Sequence, residues 1–157
     1  MSLIHIVPVT KDNWEEAMNI SVYENQKEFV PSIVESLAFA YIKPWDEAFD
    51  PYTLFCEGQM VGFYYLSYTP ESRDNYWIGG FQLDQRHQGK GLGKIALNEM
   101  IRFIKETHPK CELISLTVEK KNEHARRLYE RAGFVSQQKE NEFGEIIYQL
   151  SLKESTF

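Results

Sequence analysis

Gln88-Gly89-Lys90-Gly91-Leu92-Gly93-Lys94 is the stretch on which the reading of this chain turns. Ahead of it, Ile78-Gly79-Gly80-Phe81-Gln82-Leu83 reads as the end of a strand. Behind it, apolar residues recur at Leu92, Ile95, Ala96, Met100, Phe103 and Ile104, the spacing of one helical face. A strand, a glycine-rich turn and a helix start in that order form a place to hold phosphate. Glycines let the backbone approach closely, and the free N–H groups and dipole of a helix N-terminus favour an anion. Lys90 and Lys94 add positive charge beside it. A tight turn that needs glycine for its backbone alone would look the same, so a second motif has to decide.

The totals narrow the classes. At 157 residues the chain reads as one domain, 1–157, long enough to bury a core. Hydrophobic residues at 43% and charged residues at 25% are ordinary for a soluble globular protein. A net charge of -6 argues against a general nucleic-acid binder, whose affinity rests on neutralising phosphates. The same balance suits a cationic substrate, although mild acidity is common in cytosolic proteins. Cys56 and Cys111 lie far apart without metal-ligand spacing and read as buried reduced thiols, so no metal site is expected. No leader or membrane-length apolar run is visible, and a cytoplasmic location is expected.

Outward from the glycine turn, the elements fall as follows. Leu3 to Val9 reads as a first strand. Asp12 or Asn13 caps a helix running through Trp14, Ala17, Met18 and Ile20. Pro31 and Ser32 lead into a second helix with Ile33, Leu37, Ala38, Ala40 and Tyr41 on its apolar side. Asp46 to Pro51 reads as a loop of acidic and aromatic character. From Tyr52 the period changes to two, and Tyr52–Cys56 and Met60–Leu66 flank Glu57-Gly58-Gln59 as a hairpin, with Gly62 marking a bulge. Tyr76 to Leu83 is a fourth strand and Leu113 to Val118 a fifth. Ala125, Leu128, Tyr129 and Ala132 mark a helix stopping at Gly133, a left-handed cap. Phe134-Val135 and Ile146 to Leu150 close the chain as strands turning at Phe143-Gly144-Glu145. The order predicts an α+β fold with a mixed sheet.

The turn fails two familiar phosphate patterns. Ile95 follows Gly93-Lys94 where a Walker A loop needs Ser or Thr for magnesium, and Gln88 replaces its first glycine. The glycine spacing and the lack of an early βαβ unit exclude the dinucleotide fingerprint. The second cluster is Asn122-Glu123-His124-Ala125-Arg126-Arg127-Leu128-Tyr129-Glu130-Arg131-Ala132-Gly133-Phe134. Gln88-x-x-Gly91-x-Gly93 followed by Asn122-x-x-Ala125-x-x-Leu128-Tyr129-x-x-x-Gly133-Phe134 resembles the GNAT superfamily of acetyl-CoA-dependent N-acetyltransferases. The match covers at least Tyr52 to Leu150.

That resemblance implies a central mixed, mostly antiparallel sheet, flanked by helices and splayed between its fourth and fifth strands. Acetyl-CoA, the acetyl donor, would enter the gap. Backbone groups of Phe81, Gln82 and Leu83 would pair with the pantetheine arm. Amides from Gln88, Gly89, Lys90, Gly91, Leu92, Gly93 and Lys94 would hold the pyrophosphate, and Asn122 would contact the arm from the other side. Tyr129 reads as core from spacing alone, but in the resemblance it holds the place of the general acid that protonates the departing thiolate. A phenol stays protonated at neutral pH and can donate to a basic thiolate. A homodimer is common among such proteins.

For the acceptor, Asn25-Gln26-x-x-Phe29-Val30, Ser36-Leu37-Ala38, Tyr41, Val61-Gly62-Phe63 and Gly144-Glu145 resemble the spermine/spermidine or diamine acetyltransferase subgroup. The resemblance therefore implies a polyamine as acceptor. Glu24, Glu28 and Glu35 could partner a cationic chain, with Trp45, Tyr64 and Tyr76 as aromatic faces, or the glutamates are solvated charges of a helix face. An amino acid, an aminoglycoside or a protein amine is an alternative acceptor, and an acyl-CoA sensor without turnover is an alternative of another class. The fourth strand departs from the pattern: Gly79-Gly80 stands where many relatives carry an acid. Asp84 is near but also suits a chain turn, and no general base is assigned.

Overall fold

The computed structural model describes residues 3–153. Seven strands form one sheet in the order β1-β2-β3-β4-β5-β7-β6. They are β1 (Ile4–Pro8), β2 (Ala48–Cys56), β3 (Gln59–Tyr68), β4 (Tyr76–Leu83), β5 (Leu113–Glu119), β6 (Val135–Glu140) and β7 (Glu145–Ser151). The helices are α1 (Trp14–Ala17), α2 (Ile33–Ile42), α3 (Leu92–Thr107) and α4 (Glu123–Arg131), with a 3-10 segment at Glu24–Phe29. Every neighbouring strand pair is antiparallel except β4 and β5. A parallel pair needs a long crossover, and α3 supplies it. Among the described residues no helix is long and apolar enough to cross a membrane.

The helix α3 buries Leu92, Ala96, Leu97, Met100 and Ile104 against Tyr52, Tyr64, Leu66 and Tyr76 of the sheet. Full burial of each large side chain contributes about 1.5–3 kcal/mol. Ile95 departs from its expected place and is exposed, with Leu97 facing the core instead. On the opposite face Ala17, Ile20 and Ile33 pack on Met60 and Phe63. The two faces of β3 thus serve two helix layers, with period two from Phe63 onward and the register shift before Gly62 bringing Met60 to the same face as Phe63.

Several expectations are corrected. The first helix ends at Ala17, short of Ile20, and Asn13 at its start spends its side chain on the preceding turn, bonding Thr10 N–H at 2.8 Å and Pro8 carbonyl at 3.0 Å. Residues from Ala48 to Pro51 are strand, not loop. The Pro51 carbonyl accepts from Val9 N–H at 3.0 Å, so its nitrogen also points toward the end of β1 and the missing N–H costs no bond to β3. Tyr41 is 91% exposed, and Val34 and Ile42 lie on the outer side of α2 with it. Cys111 is buried but Cys56 is only partly so; both are free thiols.

Two irregularities shape the sheet. Pairing shifts between Leu54↔Gly62 and Phe55↔Met60, the bulge expected at Gly62, where a Cβ would meet Gln82 carbonyl oxygen at 2.7 Å. Between Phe63↔Gln82 and Tyr65↔Gly79, β4 carries one residue more than β3, and Gly80 there has φ +62°. A bulge in β4 bends it, and β4 pairs with β5 only at Trp77↔Ser115. From Ile78 onward the two strands part.

Candidate active site

One candidate site is built around the start of α3. Gly91 is its N-cap with φ +75°, and Gly89 has φ +78°, conformations that glycine adopts without the strain an L side chain would feel. No side chain caps the helix and no acid stands in its first turn, so the free N–H groups and positive dipole end are left for an outside anion. Lys90 and Lys94 are exposed and enter no ion pair among the described residues.

Gln88 fixes this loop to the sheet. Its amide donates to Leu83 carbonyl and to Gln26 Oε1, each at 2.9 Å, while Gln26 donates back to Gln88 Oε1 at 3.0 Å. The buried Gln82 amide donates to Pro31 carbonyl at 3.2 Å and Gly80 carbonyl at 3.1 Å, tying the β4 bulge to the chain entering α2. The side chains of Gln82 and Gln88 are thus committed to the fold, and what remains open is backbone along the parted edge of β4. Gly93 lies where a Cβ would touch Leu128 at 3.5 Å and Leu83 at 3.9 Å, so α3 and α4 meet beside the gap. A slot open along the β4 edge and ending on a bare, cationic helix start fits an extended ligand with a pyrophosphate.

Asn122 caps α4, its Oδ1 accepting from Ala125 N–H at 3.3 Å. Tyr129 sits in the last turn, held by a paired cap. Phe134 N–H donates to Tyr129 carbonyl at 3.0 Å and Gly133 N–H to Glu130 carbonyl at 3.1 Å, with Gly133 at φ +103° as expected. The Phe134 ring closes the motif edge-on, 6.0 Å from the Tyr129 ring. Tyr148 bolts the helix to β7 by donating to Glu130 Oε2 at 2.8 Å. Tyr129 is 8% exposed, and burial raises its phenol well above the ordinary tyrosine value. Its hydroxyl makes no hydrogen bond to the described residues.

A cavity of about 540 Å³ lies on the α2 face of the sheet, opening where β4 leaves β5. Phe39, Trp45 and Tyr65 give it an aromatic wall, with Trp77 of β4 also lining it. Trp45 and Tyr65 are near-parallel at 14°, and Phe49 stacks on Tyr65 at 4.3 Å. Asp46, Glu142 and Glu145 line the same cavity, and no lysine or arginine does. Asp46 accepts from Ser67 Oγ and Asn75 Nδ2, each at 2.8 Å, and has no cationic partner among the described residues.

Other expected acceptor residues lie elsewhere. Glu24 and Glu28 are exposed and outside the cavity, Glu24 pairing with Lys27 at 2.9 Å. Glu35 is spent in the cap of α2, where its N–H donates to Ser32 Oγ at 3.1 Å. Tyr64 and Tyr76 are buried on the α3 face, so of the three aromatic faces only Trp45 reaches the cavity. Sequence reasoning missed Asp46, Tyr65, Trp77, Glu142 and Glu145 as a set. The available signal was period two along β3, which puts Tyr65 and Ser67 on the face opposite Tyr64.

Asp84 is structural. It is 1% exposed, and Arg86 binds it at 2.8 Å while the N–H groups of Arg86 and Ser21 donate at 3.0 and 3.1 Å. Burial opposes its ionisation, but these bonds outweigh burial and hold the carboxyl below the usual value. Stability from this group is therefore complete above the unfolded value near ~4 and lost as pH falls through the lower folded value. Asp84→Asn is expected to destabilise by about 1–3 kcal/mol at pH 7, and the deficit against the parent protein should shrink below about pH 4 in urea titrations. An equal deficit at all pH values would contradict the assignment.

Residues 19–134 match the Acetyltransferase (GNAT) family. The chain belongs to that family and has its fold. It is similar to the spermine/spermidine N(1)-acetyltransferase of Bacillus subtilis (strain 168), 37% identical over 136 residues that span 83% of this chain and 87% of that one. Among solved structures it resembles a spermidine N-acetyltransferase from Vibrio cholerae in complex with CoA and spermine, at TM-score 0.71 and 17% identity over 94% of this chain and 93% of that one. An aminoglycoside acetyltransferase in complex with coenzyme A aligns at TM-score 0.75 and 18% identity, covering 95% of each chain.

Proposed function

We propose that the protein transfers the acetyl group of acetyl-CoA to a primary amine of a polyamine. The observation that carries the acceptor class is the cavity itself: three carboxylates and an aromatic wall, without a lysine or arginine in its lining. Such a lining attracts a chain bearing several ammonium groups and repels anionic acceptors. The likeness to the Bacillus enzyme supports the same class.

In this reading the bare start of α3, with Lys90 and Lys94, holds the donor pyrophosphate. The open edge of β4 from Phe81 to Leu83 aligns the donor arm, and Asn122, with its Nδ2 uncommitted, faces it from the other side. Tyr129 is poised to protonate the leaving thiolate, since burial keeps its phenol neutral. Asp46, fixed by Ser67 and Asn75, holds an ammonium that does not react.

The test supplies acetyl-CoA with spermidine, spermine, diamines, amino acids, aminoglycosides and peptides, and follows free thiol. Turnover is expected with polyamines, and Asp46→Asn should raise the spermidine KM about tenfold, roughly 1.4 kcal/mol, with the acetyl-CoA KM unchanged. Turnover confined to peptides or aminoglycosides overturns the acceptor class. Stabilisation by acetyl-CoA without turnover on any amine favours a sensor.

A further inference from the structure

An amine arriving as ammonium must lose a proton before its nitrogen can attack, and β4 carries no side chain to take it at the point where the strands part. Gly79 and Gly80 stand there as a bed for Tyr65. A Cβ on Gly79 would fall inside the Tyr65 ring, and one on Gly80 would lie 2.9 Å from it. An ionisable group for this space must come from the opposite wall.

Glu145 is that group. It opens β7 directly across from Glu119 of β5, and it lines the cavity together with Thr117 and Gly79. Tyr65 lines the same cavity, and burial first, then the charge of Glu145, pushes its phenol up to about 12. Asn141 orients Glu145. The Asn141 Nδ2 donates to Glu145 Oε1 at 2.9 Å, and its Oδ1 accepts the N–H groups of Phe143 and Glu145, each at 2.9 Å. The second carboxylate oxygen has no partner, and no cation pairs with Glu145 among the described residues.

The other acids are less suited. Both oxygens of Asp46 already accept a hydrogen bond, Asp84 is bound to Arg86, and Glu142 is exposed at the turn.

We propose that Glu145, oriented by Asn141, accepts the proton that the substrate ammonium loses before attack; the proposal rests on the acetyl-transfer reading above. The ammonium gives one proton to the Glu145 carboxylate. Its freed lone pair forms the N–C bond to the acetyl carbon as the C–S bond breaks. The thiolate takes the Tyr129 proton, and the second proton leaving nitrogen restores the phenol through solvent. Glu145 then releases its proton to water, so one amide, one thiol and one proton result.

The experiment compares Glu145→Gln with the parent protein on two amines of similar shape, ethylamine and trifluoroethylamine, following CoA thiol near neutral pH. Ethylamine is protonated there and trifluoroethylamine is mostly not. With ethylamine, kcat is expected to fall about 100-fold; with trifluoroethylamine it should fall less than about threefold, since that nitrogen has no proton to lose first. Asn141→Ala, which leaves Glu145 present but unheld, should show the same amine-selective pattern with a loss of about fivefold. Stabilisation by acetyl-CoA checks that each variant is folded. Equal losses on both amines, or a change in amine KM alone, overturn the proposal. A parent protein that transfers to no amine at all overturns the acetyl-transfer reading instead.

Discussion

Tyr129→Phe is expected to lower kcat about 100-fold, near 2.7 kcal/mol of barrier, while acetyl-CoA binds as tightly as before. The ring is held by the paired cap at Gly133 and Phe134 and by edge-on packing against Phe134, and phenylalanine keeps all of this. Only the hydroxyl is lost. Since it has no internal hydrogen-bond partner, stability should change by less than about 1 kcal/mol. The departing thiolate would then leave without a proton donor. Single-turnover rates isolate the chemical step, and an unchanged rate with a protonated aliphatic amine removes Tyr129 from the mechanism.

Gly79→Ala should act through shape. The added methyl would occupy the place of the Tyr65 ring, so the ring must leave its stack with Phe49 and Trp45. Overpacking of this kind costs about 1–3 kcal/mol, and the aromatic wall of the acceptor cavity moves with it. An increase of more than about tenfold in amine KM is expected, equal to at least 1.4 kcal/mol, with the acetyl-CoA KM little changed. Adding Tyr65→Ala removes the clash, so the double variant should be more stable than the sum of the single changes allows. Strict additivity in thermal unfolding would show that the ring is not the cause.

These two sites differ in how visible they are in the sequence. Tyr129 lies in a run whose spacing from Asn122 to Phe134 marks its helix and its cap, while spacing alone reads the tyrosine as core and only the family resemblance suggests a proton donor. The glycine turn likewise declares itself, because left-handed backbone at Gly89 and Gly91 and a helix start are local matters. The acceptor cavity is not local. Asp46, Tyr65, Trp77 and Glu145 are brought together by the β2–β3 pairing, the β4 bulge and the return of β7, and no spacing connects them. Glu24 and Glu28 stand out for their charge and sequence neighbourhood, yet both are exposed and outside the cavity, while Gln26 and Phe29 of the same 3-10 segment turn inward. Gly79-Gly80 was legible only as a missing acid. In the structure it is the imprint of Tyr65, since a ring lying flat on a strand leaves glycine as its only sequence trace. Pro51 misled for a physical reason too: a proline breaks a ladder only on the side to which its nitrogen points, and a sequence does not say which side that is.

The gap between β4 and β5 also bears on what the protein can meet without harm. A strand edge lacking its partner is usually an invitation to another chain, the start of aggregation. Here the bare edge is one side of a wedge that closes at Trp77 and Ser115. A single extended arm can thread a wedge; a hairpin or the rim of another sheet is too thick to follow. The same bend in β4 that makes room for a slender ligand therefore denies this inner edge to a second sheet, and leaves β1 and β6 as the outer edges of the sheet.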